Sequence, residues 1–246
     1  MAFSYNEYRN IIQLIDRHIP IADFAAVENF DSYCVIRHDI EFSMDRAYKL
    51  AKLEHDMGVS STYTVQLRNN TYNALSDKNI DLIWKINALG HKIGLHICPD
   101  LQLNKDDVID QILKETETFE SYYGLDIDRF AFHRPNLRIE LLSWYLKVPG
   151  LINCNAEEYF QYFDTRPDNL DVVYLSDSNH HWTYGHPVEL DFTKVSKLQL
   201  NTHPFSWTEK GYDNYGNFLS LIKDRNNEML HDMSTENKAF PKELLL

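Results

Sequence analysis

The stretch VIRHDIEFSMDRAYKLAKLEHDMGVSSTYTVQL, residues 35–67, decides the fold class. A short apolar run closes on His38, Asp39 and Glu41. A helical pattern follows, in which Ala47, Leu50, Ala51 and Met57 recur at the three- and four-residue spacing of one helix face. Gly58 then ends the helix, because glycine tolerates the left-handed conformation that closes it, and a second apolar run starts at Val59. The expectation is strand, helix, strand. Two acids at the head of a helix could be caps, since carboxylates are favoured beside its free N–H groups and positive dipole end. The remaining motifs decide between a cap and chemistry.

The same junction recurs along the chain. Gly90 precedes HKIGLHI, Gly124 precedes LDIDRFAFH and Gly150 precedes LINCN. Helical patterns lead into the first two, through Ile80, Ile83, Trp84 and Ile86 and through Val108, Ile112, Phe119 and Tyr123. Seven strands are predicted, at 33–38, 59–67, 92–97, 129–133, 151–154, 171–176 and 197–203. Strands that alternate with helices imply an α/β fold with a parallel sheet, open or closed into a barrel, whose ligand chemistry gathers at the C-terminal strand ends. No linker, low-complexity tract or repeat divides residues 1–246, so one domain is expected, with 155–192 partly irregular and a terminal helix from about Tyr215.

Composition narrows the function classes. A net charge of −13 argues against nucleic acid and acidic lipid surfaces as partners, which need a basic face. The first twenty residues intersperse charges among apolar positions, and no run reaches the roughly 18 apolar residues of a membrane span. Cys34, Cys98 and Cys154 lie far apart, as free thiols in a reducing compartment do. The expected location is the cytoplasm. The 11 histidines exceed what packing needs, and several stand at strand ends.

Those ends carry ionisable groups on strand after strand. The first ends in His38, Asp39 and Glu41, the third in His96, and the fourth in His133 and Arg134. The sixth ends in Asp177, followed by His180, His181 and Trp182, and the seventh in His203. A single buried histidine is usually only a hydrogen-bonded structural residue. Four strands agreeing point to a site. Alternation puts Asp39 and Glu41 on one face, and a carboxylate with imidazoles suits a catalytic divalent metal that activates water and polarises a carbonyl.

The motifs RHDIE, GHKIGLH, FAFHRPN, DSNHHW and LQLNTHPFSW, in that order over residues 33–207, resemble those of the polysaccharide deacetylase family, the carbohydrate esterases with the NodB homology domain. The resemblance is nearest to the branch found among bacterial surface-polysaccharide proteins. It implies a distorted (β/α)7 barrel and metal-dependent removal of an acyl group, typically N-acetyl, from a sugar. Carried over by residue, it implies that Asp39 is the general base, Glu41 and His96 are metal ligands, Arg134 orients the catalytic aspartate, and His203 is the general acid. Asp177 and Trp182 match the motif that walls the site and positions the acid, and Trp207 falls where it would line the substrate groove.

Two departures stand out. Glu41 replaces the family's aspartate, and the second ligand histidine, four residues after His96, is replaced by Asp100. Asp100 or His133 could complete the ligand set; ligand chemistry favours His133, which restores two histidines and one carboxylate. A regular strand, however, turns His133 and Arg134 to opposite faces. The expected function is therefore a metal-dependent carbohydrate N-deacetylase, with Zn²⁺ the expected ion and an N-acylated sugar as substrate, nucleotide-linked, lipid-linked or oligomeric. The alternative is a sugar-binding or assembly protein on the same barrel that has lost its metal. A formamide or cyclic ureide is a third possible substrate bond.

Overall fold

The computed structural model describes residues 3–100, 102–135, 146–160 and 171–245. Seven strands, β1 (Tyr33–Ile40), β2 (Thr62–Val65), β3 (Lys92–Ile97), β4 (Arg129–Phe132), β5 (Ile152–Asn153), β6 (Val173–Ser176) and β7 (Lys197–Thr202), form one sheet. Its order is β5-β4-β3-β2-β1-β7-β6 and every pairing is parallel. The helices are α1 (Tyr5–Asp16), α2 (Met44–Asp56), α3 (Asp77–Ala88), α4 (Lys105–Tyr123) and α5 (Asn214–Glu236). The sheet curls on itself. Gln199 of β7 donates to the carbonyls of Cys154 at 3.0 Å and Tyr159 at 2.7 Å, just beyond β5 at the far end of the strand order. The result is the expected distorted (β/α)7 barrel, with β5 and β6 as its unpaired edges.

The strand ends differ from expectation in places. β2 is shorter than expected, since its pairing with both β1 and β3 begins only at Thr62 and it ends at Val65. β5 keeps only two residues. Between 171 and 192 the chain is irregular apart from β6 and two short 3₁₀ turns, and the helical pattern expected ahead of Gly150 falls partly on 136–145, outside the described residues. No helix among the described residues is long and apolar enough to cross a membrane.

All eight residues of β1 are buried, yet its two faces differ in chemistry. The outer face carries Ile36, His38 and Ile40, and packs with Tyr63, Val65, Leu95 and Phe130 of the neighbouring strands against helices that cover the sheet. The inner face is mainly polar, with Arg37, Asp39, Thr64, His96, Arg129, Gln199 and Asn201 all buried, and its apolar residues Val35 and Ala131 join a small separate cluster. Gly94 belongs to this face, where an added Cβ would lie 2.7 Å from Cγ of Arg129, so glycine leaves the room that the arginine side chain occupies.

A second polar group sits between sheet and helices. Glu54, in the apolar stripe of α2, accepts from Tyr8 at 2.5 Å, Ser61 at 2.6 Å and Tyr63 at 2.7 Å, and pairs with His38 Nε2 at 2.9 Å. His38 contacts Thr202 of β7 through its other ring nitrogen, at 2.7 Å. This network joins α1, α2, β1, β2 and β7. Burial works against the charge of Glu54, but His38 and the hydrogen bonds bring its carboxyl down to about 2. Because the folded value lies below the unfolded one, near 4.5, its stabilisation is full above about pH 4.5 and is lost as pH falls towards 2. Glu54→Gln should lower the unfolding free energy in urea by about 3 kcal/mol at neutral pH, through lost partners in a buried network, and should flatten the acid limb of stability below pH 4.5.

Candidate functional site

The barrel opens at the C-terminal strand ends into a cavity of about 650 Å³ that is lined, among others, by Asp39, Glu41, His96, His133 and His203. These five come together from four segments: the end of β1, β3, the residue after β4 and the residue after β7. Neither acid of the opening motif is a helix cap. Ser43 is the N-cap of α2 and accepts from the Arg46 N–H at 3.3 Å.

Asp39 is held by four hydrogen bonds. Arg37 donates from Nε to Oδ1 at 2.9 Å and from Nη2 to Oδ2 at 3.0 Å. Thr64 donates to Oδ1 at 2.7 Å and Asn201 to Oδ2 at 3.0 Å. Burial opposes the charge, but Arg37 first, then His96 and His203, hold the carboxyl well below the usual carboxylate range. This corrects the expected role of Arg134: the arginine that orients Asp39 is Arg37. Residues two apart on a strand share a face, so Arg37 reaches Asp39 without leaving β1. The signal was legible, since an arginine inside the run VIRHDI must find a carboxylate when it is buried. Arg134 instead lies exposed at the cavity mouth.

Glu41, His96 and His133 each bring a ligand atom within 4.8 Å of the other two. His133 Nδ1 lies 3.2 Å from Glu41 Oε1 and 3.2 Å from His96 Nε2. Burial brings His96 down to about 4, so its imidazole is neutral at pH 7 and has a lone pair to give. Its Nδ1 is buried with no hydrogen-bond partner and faces Asp39 Oδ1 at 3.6 Å. A ligating histidine usually turns its second ring nitrogen to a carboxylate, and this geometry leaves Nε2 for a cation. Two imidazoles and a carboxylate with open positions fit a first-row divalent ion. Asp100 is not in this group: it is exposed and accepts from the Gln102 N–H at 3.0 Å.

The conflict of direction at His133 and Arg134 is resolved by the backbone. β4 ends at Phe132, and Arg134 adopts φ 53°, so both side chains line the cavity.

His203 stands across from the ligand trio, its Nε2 3.8 Å from Glu41 Oε1. Its Nδ1 and backbone N–H both meet Asp177 Oδ1, at 2.6 and 2.9 Å. Burial favours the neutral ring, but Glu41 and Asp177 push His203 up to about 9. The other oxygen of Asp177 accepts from the Trp207 indole at 2.7 Å. Trp207 therefore does not line the groove: it is fully buried, packed edge-on to Tyr8 and Phe3, with its one polar atom committed to Asp177. Trp182 is likewise outside the main cavity and borders a smaller one with Phe3 and His186. Phe42, Phe205 and Phe218 form an aromatic cluster on one wall of the cavity, with ring centroids 4.7 to 6.0 Å apart. His180 turns its Nε2 to the Tyr212 carbonyl at 3.0 Å, also away from His203.

No protein-family model matches the chain, and no curated protein matches it. Among solved structures it is similar to a CE4 family pseudoenzyme from Bacillus anthracis, at 10% identity over 81% of this chain and 62% of that one, TM-score 0.43. It is similar to a family 4 acetyl xylan esterase from Clostridium thermocellum in complex with a cobalt ion, at 14% identity over 70% of this chain and 73% of that one, TM-score 0.43. A third is the chitin deacetylase from the fungal pathogen Colletotrichum lindemuthianum, at 18% identity over 78% of this chain and 81% of that one, TM-score 0.45. The chain spans less than two thirds of the pseudoenzyme's length.

The trio makes a direct expectation for metal binding. Chelator-treated protein titrated with Co²⁺ should take up one equivalent, read by calorimetry and visible absorption. His96→Ala and His133→Ala should each weaken binding by more than the roughly 100-fold that loss of an outer partner costs, whereas Asp100→Ala should leave it unchanged.

Proposed function

We propose that the protein is a metal-dependent hydrolase that removes an N-acetyl or related acyl group from a sugar, in the making of a bacterial surface polysaccharide as the motif resemblance implies. The observation that carries this reading is the arrangement within one cavity of a two-histidine, one-carboxylate trio between a clamped aspartate and an aspartate-held histidine. A cavity of about 650 Å³ has room for a sugar and its acyl arm. Glu41, His96 and His133 would hold the ion, Zn²⁺ in our reading, which supplies Lewis acidity to water and to the acyl oxygen.

The remaining chemistry is proton transfer by the chain's own residues. Asp39 accepts the proton that water loses as it attacks the acyl carbon. All four hydrogen-bonding positions of its carboxylate are taken, so it accepts that proton in exchange for one of them. Thr64 and Asn201 are neutral donors and release at less cost than Arg37. His203, charged and oriented by Asp177, gives a proton to the sugar nitrogen as the carbon–nitrogen bond breaks. Phe42 and Phe205 offer apolar surface for a sugar ring beside these groups. The inactive alternative rested on the missing ligand histidine; His133 beside His96 and Glu41 supports the active reading instead.

The test is a pH series of kcat/KM on an N-acetyl sugar. Asp39→Asn should cut the rate by roughly 10² to 10⁴ with metal content retained, and His203→Ala by a comparable factor. His203 acts in its protonated form, and Asp177 holds that form to higher pH. Asp177→Asn should therefore move the alkaline limb of the profile to lower pH while the acid limb stays in place. A profile unaltered by both His203→Ala and Asp177→Asn would reject His203 as the acid.

A further inference from the structure

The geometry points to an anionic substrate: we propose that Arg134 binds a carboxylate or phosphate carried by the sugar, at the mouth of the cavity. The inference takes the position of the sugar from the deacylation reading above. Among the described residues two arginines line the cavity, and their circumstances are opposite. Arg37 is buried and engaged by Asp39 and Gln199. Arg134 is exposed and makes no hydrogen bond or ion pair with any described residue. On a chain with 37 acidic and 24 basic residues, an unpaired guanidinium over a polar cavity is a charge without a local use.

The backbone places it there at a cost. Arg134 has φ 53°, a left-handed conformation that is unfavourable for a bulky side chain and is tolerated where the surrounding structure demands it. Its effect is to bring the side chain after His133 to the same cavity as His133. Asn179, with φ 58°, lines the same cavity, so two of the three left-handed non-glycine residues among those described belong to this one site. The charges inside are balanced: Asp39 is met by Arg37, and Glu41 faces His203 and the proposed cation. Among the described residues, the charge left over at the mouth is therefore that of Arg134. A guanidinium presents a planar fork of N–H groups that matches two oxygens of a carboxylate or phosphate. A neutral sugar would leave that fork unanswered.

The experiment compares three N-acyl sugars, neutral N-acetylglucosamine, its 1-phosphate and an N-acetylated hexosaminuronic acid, by calorimetry and by steady-state kinetics on metal-loaded wild type, Arg134→Gln and Arg134→Lys. One or both anionic sugars should bind wild type at least tenfold more tightly than the neutral one, and the arm that does so distinguishes phosphate from carboxylate. Arg134→Gln should abolish that preference, raising KM for the anionic sugar with kcat little changed and leaving the neutral sugar unaffected. Arg134→Lys should restore part of it, since a point charge replaces the fork. Preferential, Arg134-dependent binding without hydrolysis of any arm would support the anion site and reject the deacylation reading. Absence of an anion preference, or a preference that Arg134→Gln does not alter, would overturn the inference whether or not the sugars are hydrolysed.

Discussion

The buried ion pair between Arg37 and Asp39 is the constraint around which this barrel is organised. Both charges lie inside the sheet, where leaving water costs several kcal/mol per ion unless geometry and further hydrogen bonds offset it. The offset comes from three strands. β1 supplies the pair, Thr64 of β2 and Asn201 of β7 complete the carboxylate, and Gln199 of β7 takes the third guanidinium nitrogen. Gln199 is itself anchored to carbonyls beyond β5, so satisfying one arginine also ties the two ends of the curled sheet together. Removing either partner would strand a charge in the interior, a loss of about 3–5 kcal/mol.

A polar interior transfers the burden of apolar burial to the outer face. Small strand-bound barrels usually fill their inside with aliphatic side chains; here most aliphatic residues face the helices, in two clusters on either side of β1, and only a smaller cluster with Val35 and Ala131 lies on the inner face. Glu54 and His38 interrupt that outer layer, but as a closed network in which each donor finds an acceptor. The molecule thus carries polar layers on both faces of β1. Only the inner one opens to solvent, at the strand ends, and only there do its groups have chemistry to perform.

The same low-dielectric surroundings act differently on each group of the site. Burial, helped by the charges of His133 and Arg37, keeps His96 neutral, the form in which an imidazole ligates. His203 is equally buried, yet Asp177 and Glu41 outweigh that effect and keep it charged, the form in which it donates a proton. Two histidines a few ångströms from one glutamate are set to opposite tasks: at His96 burial outweighs the pull of Asp39, whereas at His203 Glu41 and Asp177 outweigh burial.

The sequence by itself determined what depends on neighbours along the chain. Gly58, Gly90 and Gly124 close their helices because left-handed closure is a local requirement, and the seven apolar runs between such junctions are the seven strands. That ionisable residues at the ends of parallel strands gather in one place follows from topology, so Asp39, Glu41, His96 and His203 could be named before any coordinate. What only the tertiary structure decided are choices between candidates equally near in sequence. Arg37 rather than Arg134 meets Asp39 because the sheet face, and not the motif, sets the distance. His133 rather than Asp100 joins the trio because a left-handed residue after β4 and the curl of the sheet bring two strand ends together. Trp207 lies behind Asp177 instead of in the groove because its indole N–H, once buried, must find an acceptor, and the direction of that acceptor is a property of packing that no spacing along the chain encodes.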